Sequence, residues 1–196
     1  LKEGAGRMAI IQNGSSLFTG DAGSGASEIR RYVIEGDLVE AIVQLPTDLF
    51  YNTGISTYIW LITKNKPMHR AGKVQLIDAS RCFVKRRKNI GNKRVDLDDS
   101  SIRLILQAYD AFDDGVYESG AQVVESKVRD NISFGYTKVA VETPLCDESG
   151  KPVLKRGKPQ PDKAKSDSEL IPLTEDMDAY MEKDVLPYNP LATIDH

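Results

Sequence analysis

The chain has 196 residues, of which 40% are hydrophobic and 28% charged, a balance that fits one folded domain, or one with an appendage, and excludes a disordered chain. Its net charge of −3 excludes a wholly basic protein that coats nucleic acid, and no apolar run reaches the length of a bilayer. Cys82 and Cys146 stand far apart without a CxxC, and His69 and His196 are the only histidines. Zinc, a redox pair and a His-based triad are therefore poorly supported; two free thiols in a reducing cytoplasm is the simpler account.

In chain order, "LKEGAGRMAII" reads as the end of a helix running straight into a strand, an opening expected of a fragment. Met8 to Gln12 is predicted as a buried strand, and the Gly- and Ser-rich "NGSSLFTGDAGSG" as a surface loop. "ASEIRRYVIEG" sets Ile29, Tyr32 and Val33 at helical spacing, with Gly36 as the stop. "LVEAIVQLP", "STYIWLITK" and "KVQLIDAS" follow as strands, the first two joined by a tight connection. This order predicts an open α/β sheet with an antiparallel edge.

After Ser80 the character changes. "RCFVKRRKNIGNKR" (81–94) is basic, as is "GKPVLKRGKPQPDKAK" (150–165); each is either a solvated face or a patch beside a binding cleft. "DLDDSSIRLILQAYDAF" predicts a helix with Ile102, Ile105, Leu106, Tyr109 and Phe112 along one face, capped by Asp98, Asp99 or Ser100. "SFGYTKVAVETPL" alternates as a strand ending at Pro144. Residues 147–168 carry almost nothing apolar and predict a mobile linker; "TEDMDAYMEKDVL" predicts a short acidic helix capped by Thr174. The divisions expected are 1–80, 81–146, 147–168 and 169–196.

Candidate sites are few. "GDAGSGASE" precedes a helix, but its glycines do not fit GxGxxG and lie well past the strand end, so a surface loop is preferred to a phosphate cradle. Asp98–Asp99 and Glu175–Asp176 suit helix starts rather than catalysis. The connection "LPTDLFYNTGIS" is different, because it places Phe50 and Tyr51 side by side on a turn. Either Phe50 tucks under the sheet, or the turn is a stacking platform at the carboxyl edge of an α/β sheet, suited to a nucleobase drawn out of a duplex.

The segments "GRMAIIQNGSSLF", "IRRYVIEGDLVEAIVQLPTDLFYNTGISTYIWLITKN", "GKVQLIDAS", "FGYTKVAVETPL" and "LIPLTEDMDAYMEKDVLP" resemble, in that order, the modification subunits of type I restriction–modification systems, which are adenine-N6 DNA methyltransferases. The resemblance implies an α/β fold: the C-terminal half of a Rossmann-like methyltransferase sheet, strands five to seven with the last one antiparallel, then a helical and irregular extension. It implies that Phe50 stacks on a flipped adenine, with Tyr51 lining the pocket or facing the duplex, and with Asn13, Gly14, Thr53 and Gly54 at the rim. Lys85, Arg86, Arg87 and Lys88 are the candidates for the DNA backbone.

The family's Gly-rich turn and its Asn-Pro-Pro-aromatic tetrapeptide are not in this sequence. No catalytic residue is therefore assigned, and S-adenosylmethionine is expected to bind a part of the enzyme outside this chain. Double-stranded DNA, the specificity subunit and the nuclease-translocase restriction subunit are the implied partners, with no membrane and no metal. The alternative is a non-catalytic assembly module contacting the specificity subunit through the 100–113 helix and the acidic tail. An RNA or protein methyltransferase on the same fold is a third reading.

Overall fold

The computed structural model describes Lys2 and residues 4–195, with the side chain of Asp195 excepted. The described residues divide into two compact units, 1–131 and 132–196. This division falls elsewhere than after residues 80, 146 and 168, because strands on both sides of residue 80 share one sheet. The helical reading of the opening residues involves Leu1 and Glu3, which lie outside the described set, as does His196.

The first unit is built on strand β1 (Arg7–Asn13), helices α1 (Ser15–Phe18) and α2 (Gly25–Glu35), then β2 (Val39–Gln44), β3 (Thr57–Thr63) and β4 (Lys73–Arg81). A basic hairpin, β5 (Val84–Ile90) and β6 (Lys93–Asp96), is followed by α3 (Asp99–Ala111) and by β7 (Gly115–Ser119) and β8 (Gln122–Asp130). The main sheet runs β1-β3-β2-β4-β8-β7. β3 is antiparallel to both of its neighbours, and β2 is parallel to β4, so β1, β2 and β4 all point the same way. β8 is antiparallel to β4 and β7 to β8, so β3, between β1 and β2, and β8, between β4 and β7, both run against the parallel strands, and the outer pairs of the sheet are antiparallel. β1 is an edge strand, which explains why "MAIIQ" is exposed rather than buried, with Ile11 among the exposed side chains.

Cross-strand register sorts the two faces of this sheet. Val43 lies opposite both Ile59 and Ile77, and these residues pack with Leu104 and Ala108 of α3 in the main core. Each large aliphatic side chain buried there contributes about 1.5–3 kcal/mol. The opposite face presents Ile10, Trp60 and Ile62 toward α2. α3 is rotated from the expected face: Ser101, Leu104 and Ala108 are buried, while Ile102 and Leu106 are exposed. Small residues let the helix approach the sheet closely, and a count of large apolar positions misses them. Asp98 is the N-cap, accepting from the Ser101 amide at 2.9 Å and its hydroxyl at 2.7 Å; these bonds hold its carboxyl well below the usual carboxylate range. Phe112 lies just past the helix in a left-handed conformation. At α2 the helix does stop at Gly36, but the left-handed residue is Asp37.

The amino ends of the parallel strands are closed by a buried polar cluster. Glu40, 1% exposed, accepts two bonds of 2.8 Å and one of 3.1 Å from the Arg7 guanidinium, and 2.6 Å from the Tyr109 hydroxyl. Arg70, also buried, reaches Glu40 at 4.0 Å, donates to Gln75 at 3.0 Å and to the Tyr109 carbonyl, and lies 4.2 Å from the Tyr109 ring centroid. The Glu40 bond raises the Arg7 pKa, and burial followed by the Glu40 bond pushes the Tyr109 phenol up. Asp37 ties the same end together through Lys66 at 2.5 Å, the Gly72 amide at 2.9 Å and Asn131 at 2.9 Å.

The second unit contains β9 (Tyr136–Glu142), β10 (Leu154–Lys155), β11 (Lys158–Pro159), β12 (Asp167–Pro172), α4 (Met177–Tyr180) and β13 (Thr193–Asp195). β9 is the centre of a three-stranded sheet, between β12 and β13, and Val139, Val141 and Ile171 pack with Met181, Val185 and Ala192. The extension thus holds a three-stranded sheet and a short hairpin beside its helical turn and irregular stretches. The expected linker 147–168 carries a hairpin, β10–β11, closed by Arg156 and Gly157, both at positive φ. Such a two-residue turn orders a polar stretch through the backbone, without a core. α4 is capped by Asp176, not Thr174, and continues into a π-helical turn over Met181–Val185.

Candidate nucleic-acid interface

The carboxyl ends of β1, β2 and β4 converge on one edge, where open α/β sheets bind ligands. Asn13 lies opposite Thr57, and the Leu45 amide donates to the Thr57 carbonyl at 2.8 Å, so residues 13–14 and the 46–56 connection flank the same residue. The Thr57 hydroxyl is buried and has no partner among the described residues, a polar atom at this edge that sequence reading did not single out.

Within the connection, Phe50 and Thr53 bridge each other and enclose a tight turn with Tyr51 and Asn52 at its tip. Closure of that turn separates the two rings. Phe50 is partly buried and packs against the main core, whereas Tyr51 is 68% exposed. Asp48 adopts a positive φ of 57°, and a Cβ at Gly54 would stand 2.8 Å from an Asp48 carboxylate oxygen, a contact that rotation of that side chain relieves. Gly14 has no such demand, since a Cβ there meets the Tyr58 ring at 3.4 Å.

The basic stretch 84–96 is a hairpin docked on this turn. The Asn92 amide donates to the Tyr51 carbonyl at 2.9 Å, and the Arg94 amide to the Asp48 carbonyl at 2.8 Å. Gly91, at φ 57°, abuts the Tyr51 carbonyl so closely that a Cβ would collide with it. The hairpin's single carboxylate, Asp96, is held by Lys93 at 2.9 Å and Arg86 at 2.5 Å; Lys93 first and then Arg86 lower its pKa. Arg86 is therefore committed within the hairpin. Lys85, Arg87, Lys88 and Arg94 are exposed and make no ion pair among the described residues.

The sequence candidates do not all share one pocket. A cavity of about 410 Å³ lies between α2 and the sheet, lined by Ile10, Asn13, Ile29, Arg30, Val33 and Trp60 among others. Asn13 reaches it, while Phe50, Tyr51, Thr53 and Gly54 do not. The Trp60 indole N–H at its wall is buried without an acceptor among the described residues. Arg30, the one cation there, donates to the Thr19 carbonyl at 2.6 Å. No carboxylate lines the cavity, so the acidic group that commonly binds a ribose is not part of it, while Gln12, Asn13, Ser15, Ser16 and Thr19 supply neutral hydrogen-bonding groups. Among the described residues there is no cluster of metal ligands and no helix long and apolar enough to cross a membrane. Cys82 is buried in the main core and Cys146 is exposed; both are free, and burial pushes the Cys82 thiol up.

Residues 1–138 match the family model described as N-6 DNA Methylase. The type I restriction enzyme MjaIX methylase subunit of Methanocaldococcus jannaschii is 34% identical over 137 residues, which are 69% of this chain and 21% of that protein. The HindI methylase subunit of Haemophilus influenzae is 40% identical over 74 residues, 38% of this chain and 16% of that one. The crystal structure of the type I restriction-modification system methyltransferase subunit from Streptococcus thermophilus superposes with a TM-score of 0.54 at 28% identity, covering 67% of this chain and 24% of that one. The chain thus spans about a fifth of the length of the curated relatives it matches. With the reversed β3 between β1 and β2 and the shared carboxyl edge, these likenesses establish that the chain belongs to the N-6 DNA methylase family and is similar to the methylase subunits of type I restriction enzymes.

Proposed function

We propose that this chain forms the target-base side of an enzyme that methylates N6 of adenine in DNA within a type I restriction–modification assembly. The observation that carries the reading is the convergence, at one sheet edge, of the 13–14 corner, the aromatic turn and a hairpin with four uncommitted cations. Phe50, seated against the core, is a rigid ring whose exposed remainder is available to stack on an extruded adenine. Asn13, Gly14, Thr53 and Gly54 form the surroundings of that base. Lys85, Arg87, Lys88 and Arg94 take the phosphates, with Arg86 stiffening the hairpin through Asp96.

S-adenosylmethionine is the proposed methyl donor, supplying an electrophilic methyl group on its sulfonium. No residue of this chain is assigned to hold it. The role assigned to this chain is to hold and orient the base.

The test is 2-aminopurine fluorescence at the target position, in the complete modification complex. Phe50→Ala is expected to weaken retention of the flipped base by roughly 1–3 kcal/mol. Phe50→Leu keeps an apolar contact with the core and serves as the folding control. An unchanged fluorescence signal in both variants removes Phe50 from this role.

A second reading, assembly with the specificity subunit, is favoured by α3, whose outward face exposes Ile102 and Leu106 one turn apart. Aspartate at both positions should abolish pull-down of the specificity subunit if α3 is the docking element. A truncation after Leu145 that retains full binding would exclude the acidic tail.

A further inference from the structure

The tip of the basic hairpin bears an exposed isoleucine, Ile90, 54% accessible, and the turn it docks on bears the exposed Tyr51. Two large apolar side chains standing in solvent on one protrusion need a reason, because neither contributes to the core. The hairpin tip and the turn are tied through the backbone by bonds from Asn92 to Tyr51 and from Arg94 to Asp48. Around them, residues 84–96 carry six cations and one carboxylate, in a chain whose net charge is −3. A free anion would satisfy the cations but leave the apolar tip in water. A duplex satisfies both, with phosphates on the flanks and the space between base steps for the tip.

We propose that Tyr51 and Ile90 form a wedge that enters the DNA duplex and fills the space left by the extruded adenine. This rests on the base-holding role proposed above and adds to it the partner of the exposed ring. Phe50 receives the base on the inner side of the turn, and the wedge closes the stack behind it. Gly91 is the positioning residue, since it lets the hairpin tip approach the Tyr51 carbonyl.

The experiment uses the intact modification subunit assembled with its specificity subunit, on a target mapped by sequencing N6-methyladenine in DNA from cells expressing the complex. Ile90→Ala, Tyr51→Ala and Gly91→Ala are compared with the unsubstituted complex. Binding is measured on a fully paired duplex and on one mismatched at the target adenine, where extrusion costs less. Each variant should bind the paired duplex about tenfold more weakly and recover to within about threefold on the mismatched one. Equal losses on both duplexes, or no loss on the paired one, would overturn the wedge. Tritium transfer by the unsubstituted complex separates the two claims. Transfer with a failed wedge leaves the base-holding role standing, and absence of transfer to adenine removes both.

Discussion

The two ends of the main sheet handle charge in opposite ways. At the amino ends of the parallel strands, Glu40, Arg7, Arg70 and Gln75 are bonded to one another and to Tyr109, and three of them are nearly inaccessible to water. At the carboxyl ends, four cations stand exposed on the hairpin beside the aromatic turn, without an ion pair among the described residues. The first arrangement fixes the register between strands and ties α3 down. The second contributes little to folding and leaves its charges open to solvent. A buried charge must be matched inside the chain, whereas an exposed one keeps its partner open.

The largest effect should come from breaking the matched end. Glu40→Ala leaves Arg70 buried without its carboxylate and should lower unfolding free energy by about 3–5 kcal/mol in urea titration. At the other end, Gly91→Ala forces a left-handed alanine against the Tyr51 carbonyl and should cost about 1–3 kcal/mol by the same measurement. Changing Lys85, Arg87, Lys88 and Arg94 together to glutamine should leave stability within about 0.5 kcal/mol. The same change should flatten the salt dependence of DNA binding by roughly 0.9 for each phosphate that is no longer neutralised. If stability collapses instead, the division between the two ends is wrong.

The smallest expected effect sharpens the comparison through pH. Burial alone would raise the Asp37 pKa, but Lys66, the Gly72 amide and Asn131 together hold it below its ordinary value. A carboxylate with a depressed folded pKa stabilises fully above its unfolded pKa and loses that contribution as pH falls through the folded one. The urea midpoint should therefore decline below about pH 4, and Asp37→Asn should show a shallower decline.

Strands β2, β3 and β4 were legible because both faces are covered and their apolar runs are nearly continuous. The β5–β6 hairpin was hidden for the opposite reason: a strand pair with little buried surface leaves no alternation to read, only a basic run. β7 and β8 were missed as well, although Gly120, at φ 61°, marks their turn and Val116, Tyr117, Val123 and Val124 surround it. The face of α3 was misjudged through Ser101 and Ala108, whose burial comes from size and not hydrophobicity. Two rings on the 46–56 connection were visible in the sequence. Which of them turns inward depends on the pairing of Phe50 with Thr53, and composition does not encode that choice.

The aromatic turn owes its place to the carbonyls of Asp48 and Tyr51, gripped by amides of the neighbouring hairpin. Peptide groups are common to nearly every residue, so this grip is indifferent to what the tip side chains are. Substitutions at residues 51, 52 and 90 therefore leave the loop where it is, whatever they do to its contacts. A surface fastened in this way can change what it touches without having to change its shape.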